Sequence, residues 1–192
     1  MPICGENKII VKLGLAMMEN TERPGLIALF RAVSGTQDDR AKAKKRSKVS
    51  SGFIGYTIAP RINAAGRIRS ASIAVELFLS NTVEAALPYA QELCDANKER
   101  QEEENHIVQE AYDMIAEQCD LEHDRVIILD SDHWHHGIIG IVSSRITERY
   151  GLPSILVSFE GAEGTGADAV GKGRFCHYTT LSAKKEGRTA LL

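Results

Sequence analysis

Residues 125–130 read RVIILD, residues 137–150 read GIIGIVSSRITERY and residues 153–159 read PSILVSF. The outer two are short aliphatic runs bounded by Asp124 and Pro153, the pattern of strands buried on a sheet. The middle run is long enough for four helical turns, and the order strand, helix, strand is a βαβ unit. Such a unit needs a parallel strand pair, so the expected fold class is α/β.

Upstream, Asn81 or Thr82 can cap a long helical pattern that reaches roughly Gln118, with Pro88 tolerable in its first turns. Residues 97–105 of that pattern, NKERQEEEN, carry no apolar face for more than two turns. Ala90, Leu93, Ile107, Val108, Ala111 and Ile115 supply apolar contacts on either side. A helix polar all round in its middle bridges two bodies through solvent, which places the domain linker there.

Nearer the amino end, Ile9, Ile10, Leu13 and Met17 recur at helical spacing within Glu6–Met18, and a second helix is expected from Pro24 to Val33, stopped by Ser34-Gly35. Residues 51–79 read as an apolar strand-like or turn segment that meets Pro60, followed by small residues and a helix ending near Leu79. Beyond Glu160 the chain turns glycine-rich and then basic, with no clear periodicity and no internal repeat.

With 192 residues, 43% of them hydrophobic, the chain can bury a core of one domain or two small ones. No run approaches the roughly 18 to 20 apolar residues of a membrane span, and MPICGENKII lacks a basic n-region and an apolar h-region. A cytoplasmic location is the expectation. Cys4, Cys94, Cys119 and Cys176 form no CxxC pair, so they read as reduced thiols rather than zinc ligands or a disulfide framework. A formal net charge of −3 argues against wholesale coating by nucleic acid but leaves room for a local basic patch.

Four stretches could carry chemistry. Residues 59–67, APRINAAGR, put Arg61, Asn63 and Arg67 on a small-residue backbone, and a guanidinium fork suits bidentate phosphate contacts. The same arginines could instead pair with acids, and Asn63 could satisfy a turn. Residues 130–137, DSDHWHHG, lie between a strand and a helix start, where N–H groups and the helix dipole favour anions. Histidines there can bind phosphate, cap the helix or ligate a metal, although no HExxH spacing occurs. Gly171, Lys172, Gly173 and Arg174 resemble a phosphate-cradling turn but fail the GxxxxGK[ST] pattern, so a flexible loop competes with that reading. Finally, Arg40, Lys42, Lys44, Lys45, Arg46 and Lys48 sit among only two acids, Asp38 and Asp39, and read as a solvated face or a loose phosphate contact.

Taken in order, GENKIIVKLGL, ERPGLIALF, IAPRINAAGR, the NKERQ-bearing helix, WHHGIIGIVSSRITERYGLPSILVSFEG and GKGR resemble the RecJ exonucleases of the DHH phosphoesterase group, over residues 3 to 174. That resemblance implies the helical end of a DHH catalytic domain (residues 1–80), a connecting helix (81–120) and an incomplete DHH-associated substrate-binding domain (121–192). It implies a 5′-to-3′ exonuclease of single-stranded DNA in repair and recombination, using manganese or magnesium. Phosphate and strand contact would fall to Arg61, Asn63, Arg67, Lys172, Gly173 and Arg174, with a cleft-facing role for His135.

No DHH triplet occurs in the sequence, and Phe175 stands where the family's phosphate grip has a small hydroxyl residue. The chain is therefore expected to be truncated at its amino end and at its carboxyl end, to hold no metal itself and to be inactive alone. Two alternatives stay open: a non-catalytic module that binds phosphate or nucleic acid, and a DHH phosphoesterase acting on oligonucleotides, cyclic dinucleotides or polyphosphate.

Overall fold

The structure, a computed structural model, describes residues 3–34, 49–159, 176–185 and 188–191, the last two stretches as backbone. Met1–Arg100 form one compact unit and Gln101–Leu192 a second.

In the first unit, helix α1 (Gly5–Glu19) buries no residue, while α2 (Pro24–Ser34) buries Gly25, Ala28 and Leu29. One helical turn, α3 (Ser51–Phe53), opens with the Ser50 hydroxyl accepting from the Phe53 N–H at 3.1 Å. It widens into a π-helical segment, Ile54–Ile58, where the Ala59 N–H reaches back five residues to the Ile54 carbonyl, and then tightens into α4 (Ala59–Ile68). The strand-like or turn segment expected before Pro60 is thus helical. Pro60 is the physical reason for the widening, because its ring presses on the carbonyl four residues back and it has no N–H to return.

Helix α5 (Ser72–Leu79) and the first turns of α6 (Val83–Gln118) complete this unit. Its core joins Ala28, Leu29, Ile58, Ala65, Ala74 and Leu77 to Ala86, Ala90 and Leu93. Small residues let the backbones close in: a Cβ on Gly25 would lie 2.3 Å from the Leu77 carbonyl oxygen. Thr82 caps α6 by accepting from the Ala85 N–H at 3.2 Å, and the helix continues through Pro88 for 36 residues.

In the second unit the far half of α6 buries Ile107, Val108, Ala111 and Ile115. Strand β1 (Ile127–Ser131), helix α7 (His136–Tyr150) and strand β2 (Ser154–Phe159) form the expected βαβ unit, with β1 and β2 parallel and Leu129 opposite Leu156. Alternation puts Ile127, Leu129 and Ser131 on the buried face and leaves Ile128 58% exposed on the other. Under the sheet, Ile138, Ile139, Val142 and Ile146 of α7 are fully buried. Gly151, in the left-handed region at φ 73°, ends α7 by donating to the Thr147 carbonyl at 2.9 Å.

Two antiparallel strands, β3 (Cys176–Lys185) and β4 (Arg188–Leu191), extend the sheet in the order β1-β2-β3-β4. The sequence carries no sign of them, since HYTTLSAKK has no two-residue alternation; pairing with β2 supplies what local pattern does not.

Within residues 97–105, read as polar all round, Asn97 and Glu104 are buried. Glu104, 2% exposed, is satisfied by Arg145 of α7, whose Nη2 lies 2.6 Å from Oε1. Arg145 Nη1 also donates to the Asn105 side-chain oxygen at 3.4 Å. Among the described residues no helix is long and apolar enough to cross a membrane.

Candidate nucleic-acid interface

Helix α4 distributes the three residues of the PRINAAGR stretch unequally. Asn63 and Arg67 are one turn apart, so their side chains share a face. Both are exposed to solvent in part or in full and, with Ile62, Gly66, Ala71 and Ala74, line an open cleft of about 510 Å³. Gly66 and Ala71 are among the small side chains of its lining.

Arg61 is half-buried, and its Nη1 donates to the Thr57 carbonyl; its Nε is buried without a hydrogen-bond partner. It is not among the residues that line the cleft. Asn63 sits within the helix, not in the turn that sequence reasoning allowed for it.

His135 lies in the second unit, at the N-cap of α7. Its Nδ1 accepts from the Gly137 N–H at 3.1 Å, and its ring stacks on that of His136 with centroids 4.7 Å apart. The acceptor role means that Nδ1 carries no proton in this arrangement. Of the three readings open for this histidine cluster, capping is the one the geometry displays for His135. Lys172, Gly173, Arg174 and the basic stretch Arg40–Lys48 lie outside the described residues.

Sequence reasoning missed Glu110, one acid among many on α6. The indole N–H of Trp134, a side chain almost fully buried, donates to its Oε2 at 2.9 Å. His133 Nε2 lies 3.0 Å from the same carboxylate, and His133 Nδ1 is 2.9 Å from the Ser131 hydroxyl. Behind them the buried Ser158 hydroxyl donates to the Trp134 carbonyl. The loop between β1 and α7 is thereby tied to α6 on one side and to β2 on the other. Spacing could not reveal this, because the partners are 23 or more residues apart.

Burial works to raise the Glu110 carboxyl. The hydrogen bonds from Trp134 and His133, with the charges of His133 and His106, outweigh it and hold the group below its ordinary value of 4.5. A carboxyl lowered by folding contributes stability that is complete above its unfolded value and lost as the pH falls through its folded one. Acid titration should therefore release the loop below about pH 4.5, visible in the emission of Trp134, the single tryptophan. Glu110→Gln should flatten that transition; an unchanged acid limb in the variant would assign it to another group.

Among the described residues no three His, Cys, Asp or Glu side chains are grouped to hold a metal ion. These residues do not fit a manganese or magnesium centre, so no reaction step is assigned through one.

No family model matches the chain. Among curated proteins it is 32% identical over 164 residues to the single-stranded-DNA-specific exonuclease RecJ of Bacillus subtilis, covering 85% of this chain and 20% of that protein. The RecJ of Thermus thermophilus is 32% identical over 189 residues, which is 98% of this chain and 24% of the relative. Solved structures agree. The crystal structure of RecJ from Thermus thermophilus in complex with Mn2+ superimposes with a TM-score of 0.67 at 32% identity, over 82% of this chain and 22% of that one. A crystal structure of exonuclease RecJ bound to manganese gives 0.71 at 28% identity, over 96% of this chain and 39% of that one. The chain thus spans between about a fifth and two fifths of the length of these relatives. It is a RecJ-like polypeptide, alike in sequence and in fold over most of its own length.

Proposed function

We propose that the chain is the strand-gripping part of a RecJ-like exonuclease that hydrolyses single-stranded DNA from its 5′ end in repair and recombination in the cytoplasm. The observation that carries this reading is the joint likeness, in sequence and backbone, to proteins named for single-stranded-DNA-specific exonuclease activity. The divisions 1–80, 81–120 and 121–192 then correspond to the end of a catalytic domain, a connecting helix and part of a substrate-binding domain. The related structures were solved with manganese or magnesium, and such an ion would supply Lewis-acid chemistry in the complete enzyme.

What this chain contributes is grip. Asn63 and Arg67 present an amide and a guanidinium side by side, a donor set suited to successive phosphate oxygens. Contact of this kind releases counterions, so affinity should fall as salt rises.

Fluorescence anisotropy on a labelled oligonucleotide tests the reading. Removing Arg67 should weaken binding by roughly 1.5 to 3 kcal/mol if its contact is shielded from solvent, and by much less if it is screened. Neutralising Lys44, Lys45 and Arg46 should weaken binding less than Asn63→Ala with Arg67→Ala. If only the lysine and arginine cluster matters, the cleft is not the binding surface. The chain alone should release no nucleotides with manganese or magnesium; turnover that copurifies with it and vanishes in Arg61→Ala would overturn the division of labour.

A further inference from the structure

We infer that Glu110 is a positioning residue: from α6 it fixes the loop before α7, and through Trp134 it sets the place of the His135 cap. The inference deepens the strand-gripping reading and rests on it only in giving the α7 entrance a ligand.

The contacts form a chain from one helix to the start of another. The Glu110 carboxylate accepts from the Trp134 indole at 2.9 Å and lies 3.0 Å from His133 Nε2. Trp134 is 2% exposed and its carbonyl accepts from Ser158, so this residue is pinned at both ends. The next residue is His135, whose Nδ1 accepts from the Gly137 N–H and whose carbonyl receives the Ile138 N–H at 2.9 Å. Displacing Trp134 therefore displaces the backbone that starts α7. Of the two bonds to Glu110, that of Trp134 dominates. It is a charge-assisted bond to a buried donor, whereas the His133 side chain is 62% exposed and its ion pair is weakened by solvent.

A glutamine at position 110 keeps an oxygen for the indole but loses the charge, and an alanine loses both. This contrast separates positioning from general support of the fold. Amide hydrogen exchange in the full chain, read residue by residue along α7, is the measurement. Glu110→Ala should speed exchange at Gly137 and Ile138 about fivefold, the effect of losing roughly one net hydrogen bond, and leave Val142 and Ile146 unchanged. The emission of Trp134 should move to the red in the same variant. Glu110→Gln should keep most of the wild-type protection and emission.

Uniform acceleration along α7, no change at Gly137, or a glutamine variant that behaves like the alanine would each overturn the inference. With the labelled oligonucleotide, Glu110→Ala should weaken binding and make a further His135→Ala change almost without effect, whereas Arg67→Ala should still add its full loss. Full additivity of Glu110→Ala and His135→Ala would count against positioning. If no variant and no wild-type chain binds the oligonucleotide while the exchange pattern is as expected, the strand-gripping reading fails and the positioning role stands.

Discussion

Gly25→Ala is expected to destabilise the first unit by about 3 kcal/mol, the upper part of the range for overpacked cores. Position 25 is buried in α2, and the added methyl group would meet the Leu77 carbonyl oxygen at 2.3 Å, the Leu77 carbonyl carbon at 3.0 Å and the Phe78 Cα at 3.2 Å. All three are backbone atoms of α5, so no rotamer change can relieve the contact. The helices must part, and Ala28, Leu29 and Leu77, each fully buried, lose packing together. Alanine's better helix propensity returns only about 1 kcal/mol. Gly14→Ala on α1 is the control: nothing lies within 4 Å of its added methyl group, and the change should be neutral or stabilising. Urea denaturation followed by circular dichroism would decide, and a Gly25→Ala midpoint equal to that of Gly14→Ala would mean the two helices are not in backbone contact.

The second large effect is expected at Arg145. Removing it takes away a cation 2.6 Å from the Glu104 carboxylate, which is 2% exposed. Breaking a buried pair costs about 3 to 5 kcal/mol, and the lower end is the ceiling here because Arg145 is 46% exposed and Glu104 keeps a further interaction. Glu104→Leu should cost less than Arg145→Ala, since an apolar side chain at 104 needs no cation and the guanidinium it leaves behind reaches solvent. The ordering of the two midpoints in urea is the test. A milder Arg145→Ala would show that the remaining interactions of Glu104 suffice to hold its charge.

The βαβ unit was legible because its signals are local and agree with one another. RVIILD and PSILVSF are too short and too aliphatic for surface helices, and the helix between them ends on a glycine that adopts the conformation only glycine takes readily. The RecJ likeness was legible as well, from the order of PRINAAGR and WHHGIIGIVSSR.

The features that escaped the sequence depend on partners far along the chain. Strand β3 pairs with β2, and β4 pairs in turn with β3. Glu104, buried inside an acidic run, pairs with Arg145, 41 positions on, and the hold of Glu110 on Trp134 needs a pairing that no spacing rule encodes. Buried hydroxyls tell the same story: Ser154 bonds Ser143 at 2.8 Å and Thr147 at 3.0 Å beneath the sheet, yet each reads in sequence as an ordinary polar residue.

The widened turn at Ile54–Ile58 bears on how this region tolerates insertions and deletions. A π turn is one residue longer than the α turn it replaces, so it acts as a splice that absorbs an inserted codon without rotating the downstream helix. Asn63 and Arg67 share a face because they stand four residues apart within α4, downstream of the widened turn. Loss of a single residue inside the segment leaves their phase intact, and the same loss between Asn63 and Arg67 shifts one against the other by about 100° around the axis, from i,i+4 to i,i+3 spacing.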